Sequence, residues 1–483
     1  MSIWKRLLAL LFAFSLVAAA CGGSDDEASD DGATSDDSAS SDDSSSSDDD
    51  DSMEEDDGAP AEILTDYGVT EDTIRVGLIP DLSGRFAVLT TPLTEAQKVY
   101  FEKLNERGGI AGRMVEPVIL DSGYEVPRTI EHYEALSQTN EEGVVMLGSV
   151  TGSPNNSAIA RQAQDDDLVT VPLSWYSGWA DPDFGGAHYE IGANYCIEAM
   201  NGVEFLKSKV EANGEEPKLA VLSYPGEYGQ DGAAGAKLAA DALGIELVFD
   251  GEGQVPPGQD QTGVISQLVG SGANMVWITS GAADLGAIFG GAVSQGFDAF
   301  WSGNSPSYSA QLLGGDLGPA MSEYYFHSTY NTLWDSDDTP GMTEMVEAMT
   351  EARPGDPIQD VFVVGWIQGM FVEAVLTQAA ENGDMTRAGI IAAANEVEVD
   401  FKGLSPNQDW VGTPNEFIIR ETYIYDIDAS VLNPVSLSDY AALDDKTAAS
   451  ASGAIPIDGF APFVGTAAEA FEFTEPCFVS AES

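Results

Sequence analysis

Three histidines and three cysteines are the scarce reactive side chains in this sequence of 483 residues. His132, His188 and His327 stand apart, with no HExxH spacing, and the chain has no GxSxG elbow, P-loop or CxxC. Each histidine therefore reads as a surface or strand-edge residue. No catalytic residue, metal site or cofactor is expected, and the chain does not read as an enzyme. The hydroxyls point to different chemistry. Ser153 precedes Pro154, an N-cap residue followed by a good first helical residue, and the free amides of such a helix start attract an anion. That arrangement binds; it does not attack.

The cysteines divide by position. Cys21 follows Lys5, Arg6, an uncharged and mostly apolar run at 7–20, and Ala18-Ala19-Ala20. A run of that length is short of the roughly 20 residues that cross a bilayer, so it reads as an export leader, residues 1–20, outside the fold. The Ala-Ala-Ala-Cys sequence resembles the lipobox of bacterial lipoproteins, which implies acylation of Cys21 and an extracytoplasmic, membrane-anchored protein. No later stretch reads as long and apolar enough to span a membrane. Cys196 and Cys477 remain as an even pair in a chain bound for an oxidising exterior, where a disulfide and two buried thiols are both open.

Residues 21–70 form the next segment. Between 24 and 57 they are almost entirely Ser, Asp, Glu, Ala and Gly, with no aromatic residue and no Lys or Arg, too polar to offset chain entropy by burial. The segment reads as a disordered tether kept extended by its own charge. The whole chain carries 81 acidic and 19 basic residues, net −62. Setting aside the tether's 17 acids and the leader's two bases leaves 64 against 17, so the folded part is itself acidic by 47 charges. Nucleic acid is excluded as a partner, because phosphate backbones require a basic footprint.

The elements that must position these residues follow from periodicity. Short apolar, β-rich runs at 74–80, 115–121, 144–148 and 169–173 alternate with amphipathic stretches at 94–107, 126–137 and 153–165. A second series has runs at 219–223, 245–250, 275–279 and 299–303, with helical stretches at 194–210, 230–243, 262–270 and 284–295. Helices near 342–351 and 360–382, an extended 416–428 and a Gly/Pro/Ala-rich tail complete the chain. This alternation predicts an α/β protein with two doubly wound parallel-sheet lobes. In such sheets the ligand crevice lies beyond the carboxyl ends of the strands. The loops after Pro80, Gly148, Leu173, Ser223, Thr279 and Gly303 supply Ser, Gly, Thr, Asn and aromatics there.

With these loops in view, the chain resembles the type I periplasmic-binding-protein-like receptors, and within them the leucine/isoleucine/valine-binding proteins of ABC transporters. The resemblance rests on Thr73-Ile74-Arg75-Val76-Gly77-Leu78-Ile79-Pro80 with Ser83-Gly84, on Asn105-Glu106-Arg107-Gly108-Gly109-Ile110-Ala111-Gly112-Arg113, on the loop from Gly148 to Ser153, on Tyr228-Gly229 and on Gly296-Phe297. It extends over residues 72–428. It implies the type I periplasmic binding protein fold, with a three-strand hinge crossing near Glu190, Phe326 and 402–409. Lobe 1 would be 71–190 with 327–405, lobe 2 would be 191–326 with 406–430, and 431–483 would pack on the lobes as a tail.

The resemblance further implies a small polar solute held in the interlobe cleft by lobe closure and handed to ABC permease subunits; a receptor docking on a membrane signalling protein uses the same fold. It places the ligand's carboxylate at Thr151, Gly152 and Ser153. Further contacts would come from Ser174, Tyr176 and Ser177, from Tyr228 of the second lobe, and from Ser280. Trp175 and Tyr176 could wall the pocket or pack within the lobe. Arg85, at the crevice mouth, reads as a local ion pair. Amino-acid-binding relatives carry an acid after the strand at 299–303 to pair with the ligand's ammonium, and here Asn304 stands in its place. Either Asp284 or Glu227 substitutes, or the ligand lacks an ammonium and is an amide, a urea-like compound or a carboxylate. A branched-chain amino acid is the named ligand implied by the overall resemblance.

Overall fold

The computed structural model describes residues 63–334 and 338–479; the leader, Cys21 and nearly all of the tether lie outside them. The first lobe runs β1 (Leu64–Thr65), β2 (Thr73–Ile79), α1 (Ala87–Glu106), β3 (Met114–Ile119), α2 (Val126–Leu136), β4 (Met146–Thr151), α3 (Ser153–Asp165) and β5 (Thr170–Leu173). After a short α4 (Pro182–Gly185) the second lobe follows. It contains α5 (Tyr195–Ala212), β6 (Lys218–Ser223), α6 (Glu227–Leu243), β7 (Glu246–Gly251), α7 (Thr262–Gly270), β8 (Met275–Thr279), α8 (Ala282–Val293), β9 (Phe300–Gly303) and α9 (Gly318–Tyr324).

The two lobes repeat one topology. The first sheet has the order β3-β2-β4-β5 and the second β7-β6-β8-β9, all pairs parallel. β4 and β8 are buried at every residue, as strands covered on both faces must be. In each sheet the winding direction reverses between the first strand and its inner neighbour, β2 against β4 and β6 against β8. A crevice opens at such a switch point, which places the loops after these four strands around the ligand.

The chain then returns through β10 (Phe326–Thr329) to α10 (Pro340–Ala352), α11 (Phe362–Glu381), β11 (Asp384–Met385), α12 (Arg387–Ala394) and α13 (Pro414–Phe417). β11 pairs with β1, which ties this return to the first lobe. β12 (Tyr423–Ile427) lies between β10 and β13 (Ala454–Pro456) in an antiparallel sheet, and α14 (Leu437–Ala442) and α15 (Thr466–Glu469) belong to the C-terminal segment. The crossings are held by hydrogen bonds. The Glu190 carbonyl accepts from Gln408 Nε2 and Trp410 Nε1, both at 3.1 Å, and Gln408 Oε1 accepts from the Gly192 amide at 2.9 Å.

One sequence expectation is corrected here. α11 is long and apolar enough to cross a membrane, yet 78% of its apolar window is buried inside the protein. It is the core helix of the first lobe. Gly365 and Gly369 let it approach α1 closely: a Cβ at Gly365 would strike the Leu93 carbonyl oxygen, and one at Gly369 would meet the Tyr100 ring at 2.6 Å. The histidine expectation is also corrected, since His188 and His327 are buried. His188 stacks under Trp179 at 4.6 Å, and burial pushes its pKa down to about 3. His132 is the partly exposed one, its Nε2 3.0 Å from the Asp121 carbonyl oxygen.

Candidate ligand-binding site

A cavity of about 1120 Å3, open space at its mouth included, lies between the lobes. Its polar corner is the turn from β4 into α3. Gly152 has φ +96°, and a Cβ there would stand 2.5 Å from the Tyr124 ring, so the turn requires glycine twice over. Asn155 Nδ2 donates to the Thr151 carbonyl at 2.7 Å and Asn156 Nδ2 to the Gly152 carbonyl at 2.9 Å, locking the turn from inside the helix. No side chain caps α3. Pro154 has no amide and that of Asn156 donates to the Gly152 carbonyl at 3.0 Å, which leaves the amides of Ser153 and Asn155 in the first turn, and such amides favour an anion.

Ser153 is held in place by its neighbours. Its Oγ lies 2.7 Å from Ser174 Oγ, which also accepts from Trp179 Nε1 at 3.1 Å. The walls around this corner are aromatic. Trp175 stacks on Tyr330 at 3.7 Å, Tyr195 packs against Tyr228 at 4.8 Å, and Phe86 against Tyr124 at 4.8 Å. Leu89, Leu93, Leu173 and Val364 extend the apolar surface.

Of the residues expected from sequence, Thr151, Gly152, Ser153 and Tyr228 line this cavity together, and Trp175 both lines it and packs. Tyr228 donates to the Ser280 carbonyl at 2.7 Å, which fixes its ring in the cavity wall. The others are placed elsewhere. Ser174 stands behind Ser153 as a support. Tyr176 donates to the Phe478 carbonyl at 2.6 Å and packs on Trp179, drawn away by the C-terminal segment. Ser177 donates to Asp231, and Ser280 holds Ser307 through its amide. Arg85 is exposed, 5.2 Å over the Tyr124 ring, and joins no ion pair among the described residues.

Asn304 is the main correction. It is fully buried and bonded within the second lobe, Oδ1 accepting from Thr279 Oγ1 at 2.6 Å and Nδ2 donating to Glu198 Oε2 at 2.7 Å. The reason lies on α5. Burial raises the Glu198 carboxyl to about 8, and Asn304 with the Ser305 amide supply the donors that partly offset it. Neither proposed substitute reaches the cavity wall: Asp284 accepts from Tyr224 at 2.5 Å and from the Gly258 amide at 3.0 Å, and Glu227 opens α6 outside the lining. The sole carboxylate in the lining, among the described residues, is Asp360, beside Gln359 and Val361 just before α11.

Sequence reasoning did not single out Phe86, Tyr195, Tyr308, Tyr330 or Asp360. Phe86 was within sight, since it closes the loop after β2. The rest depend on how the crossings fold.

The sequence profile of periplasmic binding proteins matches residues 73–431. The chain belongs to that family. Among solved members of this periplasmic binding protein fold, a fatty acid ABC transporter substrate-binding protein from Thermomonospora curvata is 27% identical, with a TM-score of 0.72 over 85% of this chain and 97% of its own. A branched-chain amino acid ABC transporter protein from Thermus thermophilus, solved with bound valine, is 17% identical, with a TM-score of 0.67 over 83% and 99%. The leucine-, isoleucine-, valine-, threonine- and alanine-binding protein of Pseudomonas aeruginosa is 22% identical over 336 residues, 69% of this chain and 85% of the relative. These periplasmic binding proteins share the two-lobed fold, and they are named for different solutes.

Proposed function

We propose that this protein is the extracytoplasmic solute-binding component of an ABC importer, and that its cleft takes a monocarboxylate with a long apolar body, of the fatty acid type. The carrying observation is the distribution of charge in the cavity. Uncapped amides and the Ser153 hydroxyl are ready for a carboxylate, while no acid borders that corner to pair with an α-ammonium. A zwitterionic amino acid would leave its ammonium unpaired in a dry cleft, which costs several kcal/mol. Aromatic and aliphatic walls suit an acyl chain, whose burial stabilises by about 0.8 kcal/mol per CH2. The solute named for the Thermomonospora curvata relative supports the same reading.

The test is a thermal-shift comparison on protein unfolded, stripped of lipid and refolded. Dodecanoate at about 100 times its dissociation constant should add about 2.7 kcal/mol of stability, and leucine, isoleucine and valine nothing. Stabilisation by the amino acids alone would sink the fatty acid reading. Anchoring through acylated Cys21 belongs to the same proposal. A Cys21→Ser variant that still fractionates with membranes would refute it.

A further inference from the structure

The cavity has a second polar region, separate from the Ser153 corner. Its lining includes His327 of β10, Asn331 and Asp360, together with Ala451 and Ser452 of the C-terminal segment. That segment follows the matched family region, which stops at residue 431. It is fastened here by Tyr308, whose hydroxyl donates to the Ser452 carbonyl at 2.6 Å, and by the pairing of β13 with β12.

This region is rich in acceptors that the protein leaves unused. Asp360 Oδ1 accepts from the Trp334 amide at 2.9 Å and the Ser452 hydroxyl beside the carboxyl holds its pKa down against burial, while Oδ2 has no partner in hydrogen-bonding geometry. Asn331 donates to the Thr332 carbonyl at 2.5 Å, and its Oδ1 is likewise unpartnered. His327 Nδ1 is also without a partner, an acceptor in the Nε2-protonated tautomer, on a ring that burial keeps neutral, with its pKa pushed down to about 3. Buried acceptors without donors carry an uncompensated desolvation cost, so a group bearing N–H or O–H is favoured wherever it can reach them. The Ser153 corner offers donors; this one asks for them.

We propose that the far region of the cavity, bounded by His327, Asn331, Asp360 and Ser452, is a second polar subsite that takes a hydrogen-bond donor at the end of the ligand opposite its carboxylate. The inference rests on the carboxylate reading of the first site. The ligand class it names is an acyl chain with a terminal hydroxyl or ammonium, in preference to one ending in methyl or in a second carboxylate, which Asp360 would repel.

Calorimetric titration of the stripped, refolded protein with dodecanoic, 12-hydroxydodecanoic, 12-aminododecanoic and dodecanedioic acids tests it. The hydroxy or the amino acid should bind about tenfold or more tightly than the plain acid, and the diacid more weakly than it. The two donor probes separate hydroxyl from ammonium. Asp360→Asn can keep the acceptor for the Trp334 amide while placing an amide donor at the Oδ2 position, so it should abolish the preference for the ammonium-tipped acid over plain dodecanoate, since an ammonium offers that amide no acceptor. Equal binding of plain and donor-tipped acids, or an ammonium preference that survives in Asp360→Asn, overturns the subsite and spares the first reading. No binding of any of the four acids overturns both.

Discussion

Ser177 donates through its amide and its hydroxyl to the single carboxylate of Asp231, at 3.0 and 2.5 Å, joining the loop after β5 in the first lobe to α6 in the second. The same hydroxyl accepts from the Cys477 amide at 2.8 Å, so the C-terminal segment closes over the contact. Burial raises the Asp231 carboxyl to about 7, an effect the Ser177 bonds reduce but do not cancel.

A pH dependence follows. Asp231, Glu198 at about 8 and Asp360 at about 6 are all raised by burial above their ordinary values. Below the unfolded values near 4 both states hold these protons; above them the unfolded chain releases protons that the folded one retains. The stability due to each group is therefore complete in acid and is lost as pH rises towards its folded value, by about 1.4 kcal/mol for each pH unit climbed between the two values. Melting temperature should fall between pH 5 and pH 8. In Asp231→Asn the slope should be shallower whatever the absolute stability, and an unchanged slope would contradict the assignment.

Cys196 and Cys477 form a disulfide across a sequence separation of 281 residues, with Cα atoms 6.3 Å apart. Cross-linking so long a loop restricts the unfolded chain. Replacing both cysteines by serine should lower stability on the order of 3 to 5 kcal/mol in the chain-entropy model. Denaturant unfolding of the variant beside reduced and oxidised wild type measures this, and coincident midpoints would exclude the contribution.

Asn304→Asp separates a structural role from a specificity role. The added carboxylate would face Glu198 where the amide now donates at 2.7 Å, inside a fully buried cluster. Loss of that donor beside a buried acid should destabilise by about 3 kcal/mol or more. If the variant instead gains affinity for leucine without losing stability, the side chain faces the ligand after all.

Gly152→Ala should abolish binding with the fold retained, because the added methyl meets Tyr124 at 2.5 Å and the backbone is left-handed. Ser153→Ala is the milder change, removing one hydroxyl from the anion corner and costing about 1 kcal/mol of affinity. Tighter dodecanoate binding by either variant would displace the carboxylate from this turn.

Alternating apolar runs and amphipathic stretches determined the parallel α/β lobes by themselves, because each strand and helix must bury its own face whatever its neighbours are. The helix start at Ser153-Pro154 was legible, but the cap was not: Gly152 is the N-cap of α3, Ser153 is its first residue, and no side chain caps it. What surrounds the cavity was not local. Trp175 meets Tyr330 only because two crossings run side by side, and Asp360 meets Ser452 only because the C-terminal segment returns there. Asn304 has the expected position after β9, yet Glu198 on α5, more than a hundred residues earlier in the chain, decides which way it faces. Periodicity records how each element buries itself; the direction of a polar side chain is set by whichever distant partner satisfies it, and that only the tertiary structure decides.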